Sequence, residues 1–133
     1  MTPAIDTIPL IPRAALFGNP TRAQGLISPD GQWLSWIAPL EGVLNIWIAP
    51  AADPEAARVI TSATERPIRQ HFWSPDARAV MYIQDKGGDE NFLLYGVDVA
   101  TGAQKALTPF ENTRVFISGT SKDRPDTVLV GVN

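Results

Sequence analysis

The chain has 133 residues, 44% of them hydrophobic and four of them Trp, the size and composition of one folded domain with a real core rather than of a disordered segment. Eleven Lys and Arg lie scattered among fourteen Asp and Glu, for a net charge of −3, so there is no basic footprint for nucleic acid or an anionic membrane, and neither is expected as a partner. Cysteine is absent, which excludes disulfides, thiolate nucleophiles and cysteine-held metals and leaves the redox compartment unread.

The chain starts MTPAIDTIPLIPRAALFG, with Pro3, Pro9 and Pro12 beside Asp6, no basic n-region and no sustained apolar run. It reads as a mature cytoplasmic N-terminus. Within this leader, residues 1–24, the stretch Pro12 to Gly18 has Pro at its start and Gly at its stop and predicts a short helix. Its apolar members, Leu16 and Phe17, are expected to dock on the body of the fold or on a neighbouring domain.

From Gly25 the pattern changes to short apolar strands separated by turn residues. The first unit, residues 25–66, predicts an approach strand Gly25 to Ile27, then Gln32 to Ala38, Leu44 to Ala49 and Arg58 to Thr61. The second, residues 67–112, predicts Ile68 to Trp73, Arg78 to Gln84, Phe92 to Val99 and Gln104 to Thr108. The Ser-Pro-Asp triplets that begin at Ser28 and Ser74 are 46 positions apart; Trp47 and Tyr95 are 48 apart, and Thr61 and Thr108 are 47 apart. A third unit, residues 113–133, begins with Arg114 to Ser118 and continues through Pro125-Asp126, in the place of the turn, to a strand Val128 to Val132.

Four short strands in each stretch of roughly 45–50 residues are the signature of propeller blades. Alternation puts Trp33 and Ile37 on one face of their strand and Leu34, Trp36 and Ala38 on the other; Val80 and Tyr82 oppose Met81 and Ile83 in the second unit. Strands apolar on both faces suit stacked blades better than a sandwich, whose outer faces are wet. The fold class is therefore all-β: about two and a half four-stranded antiparallel β-propeller blades in an incomplete ring, preceded by a short helix. A closed ring of four blades needs about 184 residues at this spacing. The segment is thus expected either to belong to a longer polypeptide or to close by assembly with other chains, its unpaired blade edges inviting self-association.

The repeated turn has a physical logic. In Ser28-Pro29-Asp30-Gly31, Pro29 presets the backbone, Asp30 serves nearby amides and Gly31 can adopt a left-handed conformation. Ser74, Pro75 and Asp76 repeat the first three positions, but Ala77 stands where Gly31 stood, so Ala77→Gly is expected to stabilise the protein. The acids of these turns read as structural.

Few residues offer chemistry. The single histidine, His71, lies in an apolar strand beside Phe72 and Trp73 and reads as packed; no Gly-x-Ser-x-Gly elbow accompanies it, and no catalytic residue is assigned. QDKGGDEN, Gln84 to Asn91, gathers Asp85, Asp89, Glu90 and Asn91, hard oxygen ligands that make calcium conceivable. Their spacing is not that of a twelve-residue calcium loop, and a solvated hairpin loop with Gly87 and Gly88 in the turn is the favoured reading. No metal or other cofactor is expected.

The stretches LIPRAALFGNPTRAQGLISPDG, QDKGGDENFLLYGVDVATG and LTPF, taken together, resemble the N-terminal propeller region of bacterial serine peptidases of the prolyl oligopeptidase family, in the acylaminoacyl-peptidase or dipeptidyl-aminopeptidase-like branch. The resemblance runs over nearly the whole chain; the Ser-Pro-Asp-Gly turn itself also occurs in TolB-like propellers. It implies a parent enzyme in which the propeller gates the access of peptide substrates to an α/β-hydrolase domain that holds the Ser, Asp and His, none of which maps onto a position here. The partners implied are that hydrolase domain and peptides. The alternatives are a TolB-like propeller that binds proteins without hydrolase activity, and a fragment whose copies supply each other's missing blades.

Overall fold

Runs of β-branched and aromatic residues, broken by turns that Pro, Asp and Gly dictate, pair into antiparallel sheets. The computed structural model describes residues 8–17 and 21–133. Helix α1 (Arg13–Phe17) precedes β1 (Ala23–Ile27), β2 (Trp33–Leu40), β3 (Val43–Pro50) and β4 (Arg58–Val59), which form one four-stranded sheet in sequential order. A second such sheet contains β5 (His71–Trp73), β6 (Ala79–Gln84), β7 (Leu93–Asp98) and β8 (Gln104–Ala106), and a hairpin of β9 (Val115–Ser121) and β10 (Arg124–Val132) begins a third. The fold is all-β, with two propeller blades and the first hairpin of another in an open, unclosed arrangement.

The core lies between the first two sheets. Ile46, Ile48, Ile68, Val80 and Val97 are completely buried there. Each such side chain contributes about 2–3 kcal/mol by leaving water. The two faces of β6 diverge as its alternation requires: Val80 and Tyr82 pack toward the first sheet, whereas Met81 and Ile83 join Leu94 and Val115 toward the third hairpin.

The outermost strands are shorter than the pattern predicts, and the same side chain ends both. The Ile46 N–H donates to Thr61 Oγ1 at 2.9 Å, and the Leu94 N–H donates to Thr108 Oγ1 at 2.9 Å, so a threonine hydroxyl replaces the next backbone acceptor. Pairing of β4 therefore stops at Val59 and that of β8 at Ala106.

Two expectations are corrected. Pro125 and Asp126 do not form the third turn; that turn is Lys122-Asp123, and both residues lie inside β10. The register there jumps from Arg124↔Ser121 to Val128↔Thr120, a bulge that accommodates a Pro without an N–H to give to the ladder. Leu16 and Phe17 do not dock on the described sheets but stay exposed, at 61% and 80%, and α1 has no buried residue. The expected helix stop at Gly18, like residues 1–7 of the leader, lies outside the described residues.

Candidate functional site at the first seam

The first strand of the second sheet places His71 and Trp73, two residues apart, on the face turned toward the first sheet. From β2, Ser35 projects between them. Its Oγ is 2.8 Å from His71 Nε2 and accepts the Trp73 indole N–H at 2.8 Å. All three residues are buried, Ser35 to 1% exposure. Because an indole nitrogen only donates, one lone pair of the hydroxyl is committed to Trp73, and the Ser35 proton is free to point at the imidazole.

A serine beside a histidine suggests nucleophilic chemistry, but the environment removes it. Burial pulls the His71 imidazole down to about 4, so it is neutral and a weak base near neutral pH. Its Nδ1 is buried without a partner among the described residues, where a catalytic triad would place an orienting carboxylate. The group is a structural clasp.

Beside it a cavity of about 300 Å³ is lined by Gln24, Gln70, His71, Phe72, Ile83 and Ile117, from β1, β5, β6, β9 and the residue before β5. Gln24 sits in a bulge of β1 with a φ of 51°, and its amide donates to the Arg69 carbonyl across the seam. A non-glycine residue in this conformation is held by its surroundings. With two amides, a neutral imidazole and apolar walls, the cavity suits uncharged polar groups and supplies no nucleophile.

The repeated turns show the same geometry twice. Ser28 Oγ donates to Asp30 Oδ1 at 2.6 Å, the Gln32 N–H donates to the same oxygen at 3.0 Å, and the Trp33 N–H donates to Ser28 Oγ at 2.9 Å. Ser74 and Asp76 repeat the set with the N–H groups of Arg78 and Ala79. Hydrogen bonds from the serine hydroxyl hold both carboxyls below the usual range. Pro29 and Pro75 lead into these turns, and Gly31 has a φ of 72°. These acids face their own backbone.

The acidic loop does not converge on a common point. Asp85 pairs with Arg66 at 3.0 Å and accepts the Glu90 N–H at 3.2 Å; Asp89 accepts the Asn91 N–H at 3.0 Å. Burial alone would raise the Asp85 carboxyl, but the hydrogen bonds from Arg66 and the Glu90 amide outweigh it and hold the group ionised, below its ordinary value. Among the described residues no three His, Asp or Glu side chains are grouped to hold a metal ion. Sequence reading missed Ser35, Gln24 and Arg66. Only Ser35 left a signal: a hydroxyl on the same face as Trp33 and Ile37, within an apolar strand.

No protein-family model matches the chain. Over 93% of its length it is 54% identical to a segment of dipeptidyl aminopeptidase BIII from Pseudoxanthomonas mexicana. Its fold matches the β-propeller domain of the Trilobed protease from Pyrococcus furiosus over 72% of the chain and 31% of that domain, with a TM-score of 0.56 and 20% identity. The acylaminoacyl peptidase of Pyrococcus horikoshii is similar over 74% of this chain and 19% of its own, with a TM-score of 0.52 and 17% identity. The resemblance to the propeller region of prolyl oligopeptidase-family peptidases is thus borne out. The chain spans 18% of the length of the curated relatives that it matches. The propeller fold itself is shared more widely than the family: TolB from Acinetobacter baumannii covers 86% of the chain, and the chain 32% of it, with a TM-score of 0.56 and 19% identity.

Proposed function

We propose that this segment is part of a propeller that restricts peptide access to an α/β-hydrolase domain of the same polypeptide, in a serine peptidase that removes dipeptides from the N-termini of short peptides. The observation that carries this reading is the 54% identity to dipeptidyl aminopeptidase BIII over nearly the whole chain. The site chemistry is in keeping with it: His71 is buried and poorly basic, the turn acids serve their own backbone, and the open seam cavity offers amides and apolar walls. The segment's part is then to form wall, with bond cleavage assigned to the hydrolase domain.

The test is to express the complete reading frame and assay peptides of increasing length, with a serine-directed fluorophosphonate as inhibitor. Release of dipeptides that the inhibitor abolishes, with turnover falling as peptides lengthen, is the expected result. A full-length protein without such turnover would refute the peptidase reading. Turnover indifferent to peptide length would refute the gating role alone.

A further inference from the structure

Two seams join the three units, and they are built from different interactions. Across the first, between β1–β4 and β5–β8, directional bonds pass in both senses. Besides the Ser35 clasp and the Gln24 amide, Arg58 donates to the Val99 carbonyl at 3.0 Å and Gln104 to the Ile60 carbonyl at 3.4 Å. Across the second, Met81, Leu94 and Val115 meet the partly buried Val128 and Val130. Among the described residues no side-chain hydrogen bond passes between these two sheets; Thr113 Oγ1 donates to the Glu111 carbonyl at 2.7 Å only within the connection that joins them. What crosses is a backbone bond from Val115 N–H to the Phe92 carbonyl at 2.8 Å, and the Arg114 guanidinium 5.6 Å above the Phe92 ring.

Apolar contact is non-directional, so a small slide along such a seam preserves most of the burial. Hydrogen bonds to a hydroxyl with 1% exposure tolerate no such slide, because water cannot replace a lost partner there. We infer that the Ser35–His71–Trp73 clasp locks the first two units into one rigid body and that the second seam, where Met81 of β6 holds the place of Ser35, lacks such a lock. The inference goes beyond the peptidase reading and stands whether or not a hydrolase domain accompanies the propeller.

Amide hydrogen exchange on the full chain tests it. In the unaltered protein, amides of β2, β3, β6 and β7 should share one slow opening rate, with β9 and β10 opening about tenfold faster or more. Ser35→Ala should separate the first two units, β2 and β3 exchanging about tenfold faster than β6 and β7. Val128→Ala should speed only β9 and β10. Separate rates for the first two units in the unaltered protein would overturn the inference, as would a Ser35→Ala protein that keeps one shared rate. If Ser35→Ala does not fold, Trp73→Phe removes a single donor to the same hydroxyl and should produce the same separation, while the comparison within the unaltered protein decides independently of both.

Discussion

Gly31 and Ala77 occupy the same place in two copies of one turn, with φ of 72° and 59°. A Cβ on Gly31 would meet nothing within 4 Å, so Gly31→Ala brings backbone strain alone and should lower stability by about 1 kcal/mol in denaturant unfolding. The reverse change at Ala77 is more balanced than the turn pattern suggests. Relief of about 1–2 kcal/mol of strain is offset by a buried methyl worth about 0.8 kcal/mol and by the extra chain entropy of glycine. Ala77→Gly should therefore leave the unfolding midpoint nearly unchanged, in place of the gain expected from the sequence. His71 makes a pH prediction. Its imidazole titrates at about 4 in the fold and near 6.5 when unfolded, so the unfolded chain binds the extra proton between those values. Stability attributable to this residue is complete above pH 6.5 and falls by about 3 kcal/mol as pH drops to 4. In His71→Phe that part of the pH slope between 6.5 and 4 should vanish. The Ser35–His71 contact joins residues 36 positions apart and depends on how two sheets stack, which no local pattern encodes.

At the level of strands and loops, the sequence was most informative where hydrophobic alternation and turn chemistry agreed, as at β2, β3, β6 and β7. It failed in the third unit because Pro-Asp is a turn signal only when the backbone around it is free to turn; here pairing of Val128–Val132 with Val115–Thr120 pulled the proline into a bulge. The loop after β6 shows the same limit. Its acids and glycines predicted a solvated hairpin, and residues 86–90 are exposed as that requires, but Asp85 is 3% exposed at its side chain and tied to Arg66 of the preceding connection, while Gln84 donates to the Arg66 carbonyl at 2.7 Å. Arg66→Ala leaves that carboxylate without its cation. Since the guanidinium is 42% exposed, the loss should be about 1–2 kcal/mol, less than for a fully buried pair, and Asp85→Asn should lose less because the charge left behind, that of Arg66, is partly solvated. Both are readable by thermal unfolding. Millimolar calcium should not stabilise the parent protein, because the best-placed carboxylate is already committed to Arg66.

Over the whole molecule, two surfaces are left open. Leu26 and Ile27 are exposed on β1 at one end of the stack, and Phe116, Leu129 and Val132 on the third hairpin at the other. Apolar strand faces of this kind are completed by further blades in a closed propeller. Purified by itself, the 133-residue chain should associate with rising concentration in light scattering, and Leu129→Lys should weaken that association without lowering stability by more than about 0.5 kcal/mol, as for an exposed position. The repeat of 46–48 residues made this incompleteness legible, whereas the unequal chemistry of the two seams came only with the packing.

The dry strand β6 has a further consequence. Ala79–Gln84, AVMYIQ, has neither charge, proline nor glycine, and it is covered on both sides only because the sheets have already stacked. Before they do, it has the composition of a segment that zips against copies of itself into cross-β fibres. Arg78 on one side and Asp85 and Lys86 on the other bracket it with charge, so residues that shape a turn and a loop in the finished fold also guard the nascent chain against aggregation.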